Sequence, residues 1–169
     1  MTDELLASDE ASSTGSFAAE QTHDVLAFII ADEAYSFPLE SIREILKHKP
    51  ITPVPRAPQG VLGILSVRGT VTTIVDLRAM LRVHAQPATR HSRVLLVDQG
   101  DEIIGVLVDR VLQVVRLAPD EVEGTAMVSG DLSDYVAGIG RPRSGRGREA
   151  VDLLILLDPT AILRRSHGA

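Results

Sequence analysis

The chain of 169 residues contains no cysteine and no tryptophan, and only 3% of its residues are aromatic. The absence of cysteine excludes disulfide bonds, thiolate metal ligands and a cysteine nucleophile, and it is weak evidence for a reducing compartment. The 44% of residues that are hydrophobic must therefore fill a core mainly with valine, isoleucine and leucine. Because branched side chains favour strands over helices, the composition predicts a β-rich fold.

Long hydrophobic runs and a basic leader are also missing. No apolar run is long enough to cross a bilayer, and the N-terminus, Met-Thr-Asp-Glu, has neither the basic nor the apolar region of a signal peptide. We therefore expect a cytoplasmic protein without direct membrane insertion.

Positive charge is absent from the first part of the chain. The net charge is −6, and five acidic residues precede residue 23 without a lysine or arginine. An acidic tail on a nearly neutral body disfavours nucleic acid as a partner. Residues 1–22 have no sustained periodicity and are rich in small and acidic residues, so they are predicted to be a disordered acidic tail.

Short apolar segments separated by polar turns make up the rest of the chain. The predicted strands cover residues 25–30, 35–38, 62–67, 71–75, 94–97, 103–108, 111–115, 136–139 and 153–157. The apolar positions between 39 and 46 share one helical face, which predicts a short helix or turn there. Four prolines between 50 and 58 predict a stiff extended connection. Short helices are expected after Asp76 and Asp158, since aspartate caps free backbone amides.

Pairs of apolar segments joined by a polar turn, the pattern of a β-hairpin, occur in both halves of the chain. Polar residues and a proline interrupt the pattern between residues 81 and 92. This predicts one domain over residues 23–169, built from two lobes at roughly 23–85 and 86–169. Whether the termini cross between the lobes is left open by the pattern.

The sequence has aspartates where an enzyme can place catalytic carboxylates. Asp76, Asp98, Asp109 and Asp158 each follow an apolar segment, yet no two are spaced as an acid/base pair, and such residues more often cap helices or form turns. The five histidines lack metal-ligand spacing, and Ser66 lacks the Gly-x-Ser-x-Gly context of a hydrolase. We predict a binding protein without metal or cofactor, with a small hydrolase using the strand-end aspartates as the alternative.

A charged residue interrupts the most apolar part of the chain. Arg68 and Gly69 separate two strand-like segments, and an arginine beside so many apolar residues needs solvent or a carboxylate partner. Gly69 permits a positive φ or a close backbone approach. The pair indicates an interaction site on a β scaffold.

The order and spacing of several motifs resemble the CheW chemotaxis coupling proteins, over residues 25 to 163. The motifs are Ala34-Tyr35-Ser36-Phe37-Pro38, Ile42-Arg43-Glu44-Ile45, Ile51-Thr52-Pro53-Val54-Pro55, Gly60-Val61-Leu62-Gly63-Ile64-Leu65-Ser66-Val67-Arg68-Gly69, Ile74-Val75-Asp76-Leu77-Arg78, Gly105-Val106-Leu107-Val108-Asp109-x-Val111 and residues 153–158. The resemblance implies a mainly β fold of two SH3-like β-barrel lobes with a few short helices. It also implies an adaptor, not an enzyme, that bridges the cytoplasmic tips of methyl-accepting chemoreceptors to the regulatory domain of the histidine kinase CheA within receptor arrays.

The same resemblance assigns candidate receptor- or kinase-binding residues. They are Ile42, Glu44, Gly63, Arg68, Gly69, Val94, Gly105, Val111 and Val114. Glu44 and Arg68 are interpreted either as groove-positioning contacts or as a structural salt bridge. The glycines at 63 and 105 are expected to allow close strand packing, and the three valines to line a groove between the lobes or to fill the core.

Three features depart from the family pattern. Thr72-Thr73 replaces the usual Ile-Pro or Val-Pro, the arginine-rich segment 141–148 is longer than the usual hairpin, and the acidic tail is additional. The arginines are interpreted as a solvated hairpin tip or as a contact for an acidic partner. A scaffold of a non-motility chemosensory pathway is therefore an alternative function. A third hypothesis, an SH3-like module for proline-rich peptides, requires an aromatic-lined groove.

Overall fold

The computed structural model describes residues 21–98, 100–124, 134–143 and 150–166. The predicted tail lies outside these ranges except for residues 21 and 22, and Arg146 and Arg148 of the arginine-rich segment also lie outside them. No helix within the described ranges is long and apolar enough to cross a membrane.

Strands dominate the described residues. They are β1 (His23–Ile30), β2 (Glu33–Pro38), β3 (Ile42–Lys47), β4 (Val61–Val67), β5 (Thr70–Asp76), β6 (Arg93–Asp98), β7 (Ile103–Val108), β8 (Arg110–Leu117), β9 (Val122–Glu123), β10 (Val136–Gly140) and β11 (Leu154–Leu157). The helices α1 (Leu77–Met80) and α2 (Pro159–Ser166) are short, and two 3₁₀ turns cover Leu39–Ser41 and Pro119–Glu121. The predicted β-rich class and all nine predicted strand segments are confirmed.

The strands form two sheets that exchange chain segments. The first sheet has the order β8-β1-β2-β11-β10-β9 and the second the order β3-β6-β7-β5-β4. Neighbouring strands are antiparallel except for β2–β11 and β5–β7, which are parallel. The sheets do not follow the predicted lobe boundary near residue 85, because β6 and β7 pair with β3 and β5. The second sheet thus uses residues 42–108, and the first combines the early and late strands.

The prediction of a helix or turn over residues 39–46 is only partly correct. A 3₁₀ turn, Leu39–Ser41, is followed by β3, in which Ile42, Glu44 and Leu46 are half-buried while the residues between them are exposed. β3 pairs antiparallel with β6 from Ile42↔Val97 to Lys47↔Arg93. These ladder hydrogen bonds and side-chain contacts outweigh the weak helical periodicity.

The two sheets share a hydrophobic core. The largest cluster joins Phe28 and Phe37 of the first sheet to Leu95, Val97 and Val106 of the second. Because successive strand residues face opposite sides, the neighbours of these β6 residues, Val94 and Leu96, belong to a separate cluster on the other face of the second sheet. Each sheet therefore has an interior of its own in addition to the shared core.

Candidate interaction site

Arg68 and Gly69 form the two-residue turn of the β4–β5 hairpin. Val67 pairs with Thr70, and the two residues between them have φ values of +49° and +82°. Positive φ at both central positions is the type I′ pattern that matches the twist of a hairpin. Glycine adopts this conformation without cost, whereas an arginine adopts it against the repulsion of its own Cβ. Arg68 is thus held at the hairpin tip in an unfavourable backbone conformation.

The guanidinium of Arg68 forms a bidentate ion pair with the carboxylate of Glu44 on β3. Arg68 Nη1 donates to Glu44 Oε2 at 2.6 Å, and Nη2 donates to Oε1. The pair is on the surface, since 73% of the Arg68 side chain and 29% of the Glu44 side chain are exposed. The hydrogen bonds, and then the charge of Arg68, hold the pKa of Glu44 below its usual range. The two residues that the sequence singled out are therefore direct partners.

A shallow groove beside this ion pair combines apolar and polar side chains. Val71 is 64% exposed and Ile103 is 38% exposed, which is high for large hydrophobic residues. Arg43, at the β3 side of the groove, donates to Asp98 at 2.8 Å. The groove is lined by Arg43, Glu44, Val67, Arg68, Thr70, Val71, Thr72, Thr73, Leu96, Asp101, Glu102 and Ile103. It offers exposed apolar area next to oriented charges, a combination typical of protein interaction surfaces.

Two of the candidate glycines are required for packing. A Cβ on Gly63 would lie 2.1 Å from the Thr52 carbonyl oxygen, and one on Gly105 would lie 2.4 Å from Ile74 Cδ1 and 2.9 Å from Val94 Cγ1. No heavy atom lies within 4 Å of a Cβ on Gly69, so this glycine is needed for its φ alone. The expectation that Gly63 and Gly105 permit close strand packing is confirmed.

The remaining candidates lie in different surroundings. Val94 is fully buried in the cluster of the second sheet, which agrees with its interpretation as a core residue. Ile42 and Val111 are half-buried against the shared core, while Val114 on β8 of the first sheet is 50% exposed. A role of any of these residues in partner binding stays a prediction.

The strand-end aspartates all have structural hydrogen bonds. Asp76 accepts from the Arg78 amide and Asp158 from the Thr160 amide, both at 2.9 Å, which confirms the two predicted helix caps. Asp98 accepts from the Gly100 amide at 2.8 Å. Within the described ranges, no group of three or more histidine, aspartate or glutamate residues could hold a metal ion.

Sequence reasoning missed the role of Arg78, although the Asp-Leu-Arg motif contained it. Only 9% of its side chain is exposed, and its Nε donates to Asp109 Oδ1 at 3.2 Å while Nη1 donates to the His84 carbonyl at 2.8 Å. Asp109 also accepts from the Ala31 amide at 2.9 Å. The hydrogen bond to Asp109 raises the pKa of Arg78. The signal in the sequence was an arginine directly after a capping aspartate at the end of an apolar strand.

The aromatic residues within the described ranges do not form a peptide groove. Phe28, Tyr35 and Phe37 are at most 2% exposed, and Tyr135 is 7% exposed. Tyr35 Oη donates to Glu33 at 2.9 Å. The ring of Phe28 packs against the rings of Tyr35 and Phe37. The described residues thus lack the exposed aromatic side chains that recognition of proline-rich peptides requires.

Known proteins are similar to this chain in sequence. Residues 24–167 match the family model of the CheW-like domain. The chain is 31% identical to the chemotaxis protein CheW of Helicobacter pylori over 122 residues, which cover 72% of this chain and 74% of the relative. It is 34% identical to the probable chemotaxis protein CheW of Rhizobium etli over 149 residues, which cover 86% and 90% of the two chains.

A solved structure agrees with the fold. The crystal structure of the scaffolding protein TtCheW from Thermoanaerobacter tengcongensis aligns with a TM-score of 0.70 at 22% identity, covering 82% of this chain and 90% of that one. The fold is thus the mainly β, two-lobed SH3-like architecture predicted from the sequence. Two sheets pack around a shared core, and the ion pair and the apolar groove lie on the surface of this β scaffold. The chain belongs to the CheW-like domain family.

Proposed function

We propose that this protein is a non-enzymatic adaptor that couples methyl-accepting chemoreceptors to the regulatory domain of a CheA-type histidine kinase. It acts in the cytoplasm, in association with receptor arrays. Family membership and the similarity to curated CheW proteins support this function. Its mechanism needs no turnover, because a scaffold acts by holding two partners in a fixed geometry.

One observation carries the proposal: Arg68 occupies a strained and exposed position. A hairpin turn with two positive φ values is formed more easily by Asn-Gly or Gly-Gly than by Arg-Gly. Solvent screens the ion pair with Glu44, because most of the Arg68 side chain is exposed, and exposed ion pairs contribute little to stability. Strain of this kind clusters at functional sites, and Arg68 combines it with an exposed charged side chain.

The geometry around Arg68 is suited to recognition. The short turn limits the movement of its backbone, and Glu44 orients the planar guanidinium with two parallel hydrogen bonds. Exposed Val71 and Ile103 lie along the adjacent groove and can be buried by a partner. We infer that the receptor tip uses this groove and that the ion pair fixes its orientation.

The test is binding of the purified chain to a chemoreceptor cytoplasmic fragment and, separately, to a CheA regulatory domain. The variants are Arg68→Glu and the matched control Arg116→Glu, which breaks the exposed pair between Arg116 and Asp24 on the first sheet. We expect Arg68→Glu to lose receptor binding and keep kinase binding, and Arg116→Glu to keep both, with circular dichroism unchanged. If the unmodified chain binds neither partner, the coupling function is wrong for this protein.

The alternative is a CheW-like scaffold for a non-motility chemosensory pathway. Thr72 and Thr73 lie in the groove, where the family pattern predicts apolar residues, and the half-buried Thr73 adds polar surface while Thr72 is buried. A more polar groove favours a different receptor. Comparing the affinities of the chain for receptor fragments from motility and non-motility systems decides between the two pathways.

A further inference from the structure

The central part of the sequence has a pronounced excess of positive charge, although the whole chain is acidic. Between residues 45 and 97 the single acidic residue is Asp76. The same stretch contains eight cations, Lys47, Lys49, Arg56, Arg68, Arg78, Arg82, Arg90 and Arg93. This stretch supplies most of the second sheet, so one lobe is basic while the rest of the protein carries the negative charge.

Four of these cations gather where β3 ends and β6 begins. Lys47 and Arg93 are directly opposite each other in the β3–β6 ladder, and Lys49 and Arg90 lie just beyond the two strands. Like charges opposite each other in an antiparallel pair are destabilising. We call the surface formed by Ile45 and these four cations the basic edge.

No carboxylate compensates this charge among the described residues. None of Lys47, Lys49, Arg90 and Arg93 takes part in the ion pairs of the described ranges. The Arg93 guanidinium instead donates to the carbonyls of Arg90 and Ser92, at 2.9 and 2.8 Å. Asp109, which follows the β7 residue opposite Arg93, already binds Arg78.

An apolar side chain is exposed next to the cations. Ile45 is 43% exposed and precedes Lys47 by two residues, so both side chains point to the same face of β3. Glu44 points to the opposite face, which separates this surface from the Glu44–Arg68 groove. Within the described part of the chain, β3 pairs with β6 alone and is an edge of its sheet.

We propose that the basic edge binds an acidic segment of a partner protein and that this segment carries an apolar anchor residue. Carboxylates of the segment neutralise Lys47 and Arg93, and its apolar side chain covers Ile45. Charge complementarity identifies the partner class, because the edge concentrates cations that have no anion of their own. A bare polyanion such as nucleic acid would leave Ile45 exposed.

The test uses the full chain and a fluorescein-labelled peptide, Asp-Glu-Asp-Ile-Glu-Asp-Glu, followed by fluorescence anisotropy at low salt. The variant is Lys47→Glu, and the matched control is Arg164→Glu, an exposed cation of α2 with the same change in net charge. We expect Lys47→Glu to weaken binding at least about tenfold and Arg164→Glu less than about twofold. A peptide with serine in place of isoleucine should bind more weakly.

Folding of the variant is checked independently. Because Lys47→Glu turns a like-charged cross-strand pair into an opposite-charged one, its thermal midpoint should not fall. If Lys47→Glu and Arg164→Glu weaken binding equally, or if the serine peptide binds as tightly as the isoleucine peptide, net charge alone explains the binding and the proposal is wrong. A second measurement removes residues 1–20 from the chain. If the shortened chain binds the peptide much more tightly, the protein's own acidic segment competes for the basic edge, and the proposal is also wrong.

Discussion

Arg78 and Asp109 form an ion pair that links the two sheets. Arg78 belongs to α1, which follows β5 of the second sheet, and Asp109 lies between β7 and β8, where the chain passes from the second sheet to the first. Asp109 also accepts from Ala31 in the β1–β2 turn. A single carboxylate thus fixes the relative positions of three segments at the junction of the sheets.

Removal of this carboxylate should destabilise the fold. Asp109→Ala leaves the guanidinium of Arg78 buried without its partner, and we expect a loss of about 3 kcal/mol, the lower end for breaking a buried ion pair. The lower end applies because 34% of the Asp109 side chain is exposed. Urea denaturation measures the effect. Arg116→Ala, which breaks the exposed pair with Asp24, is the control and should change little; equal effects of the two variants would contradict the linking role.

Glycine-to-alanine substitutions should have graded costs. Gly63→Ala places a methyl group against the backbone oxygen of Thr52, which cannot move away, whereas Gly105→Ala meets the side chains of Ile74 and Val94. We expect about 1–3 kcal/mol for Gly105→Ala, as for other overpacked cores, and a larger loss for Gly63→Ala. Gly124→Ala is the control, because no heavy atom lies within 4 Å of its Cβ position. The order of the three urea midpoints checks this prediction.

The pKa of Glu44 should depend on Arg68. The ion pair lowers this pKa in the folded protein, so its stabilising effect is present above the pKa of the unfolded chain and is lost as the pH falls through the folded value. In Arg68→Ala the pKa of Glu44 should rise towards its usual range. NMR titration of the Glu44 carboxyl carbon measures both values, and identical titration curves would show that the pair does not form in solution.

Arg68→Gly should separate stability from binding. Glycine removes the Cβ repulsion at φ +49°, so the variant should unfold at the same or a higher urea concentration than the unmodified chain. It should nevertheless bind the receptor fragment more weakly, since the guanidinium is gone. A variant that loses stability and binding together would instead indicate that Arg68 supports the fold.

The sequence predicted the hairpins well, because their signals are local. Alternating or continuous valine, isoleucine and leucine mark the strands, and the capping of α1 and α2 follows from Asp76 and Asp158 alone. β3 was missed because Ile42, Ile45 and Leu46 satisfy a helical spacing, while its strand conformation depends on pairing with the distant β6.

Local patterns in the sequence were enough to predict the β-rich class, the positions of most strands, the break between two strands at Arg68-Gly69 and the family. Only the folded structure shows the order of the strands, the core shared by two interleaved sheets, the pairing of Glu44 with Arg68 and the burial of Arg78 beside Asp109. Strand and turn preferences act between neighbours along the chain, whereas sheet order and ion pairing depend on residues that only folding brings together.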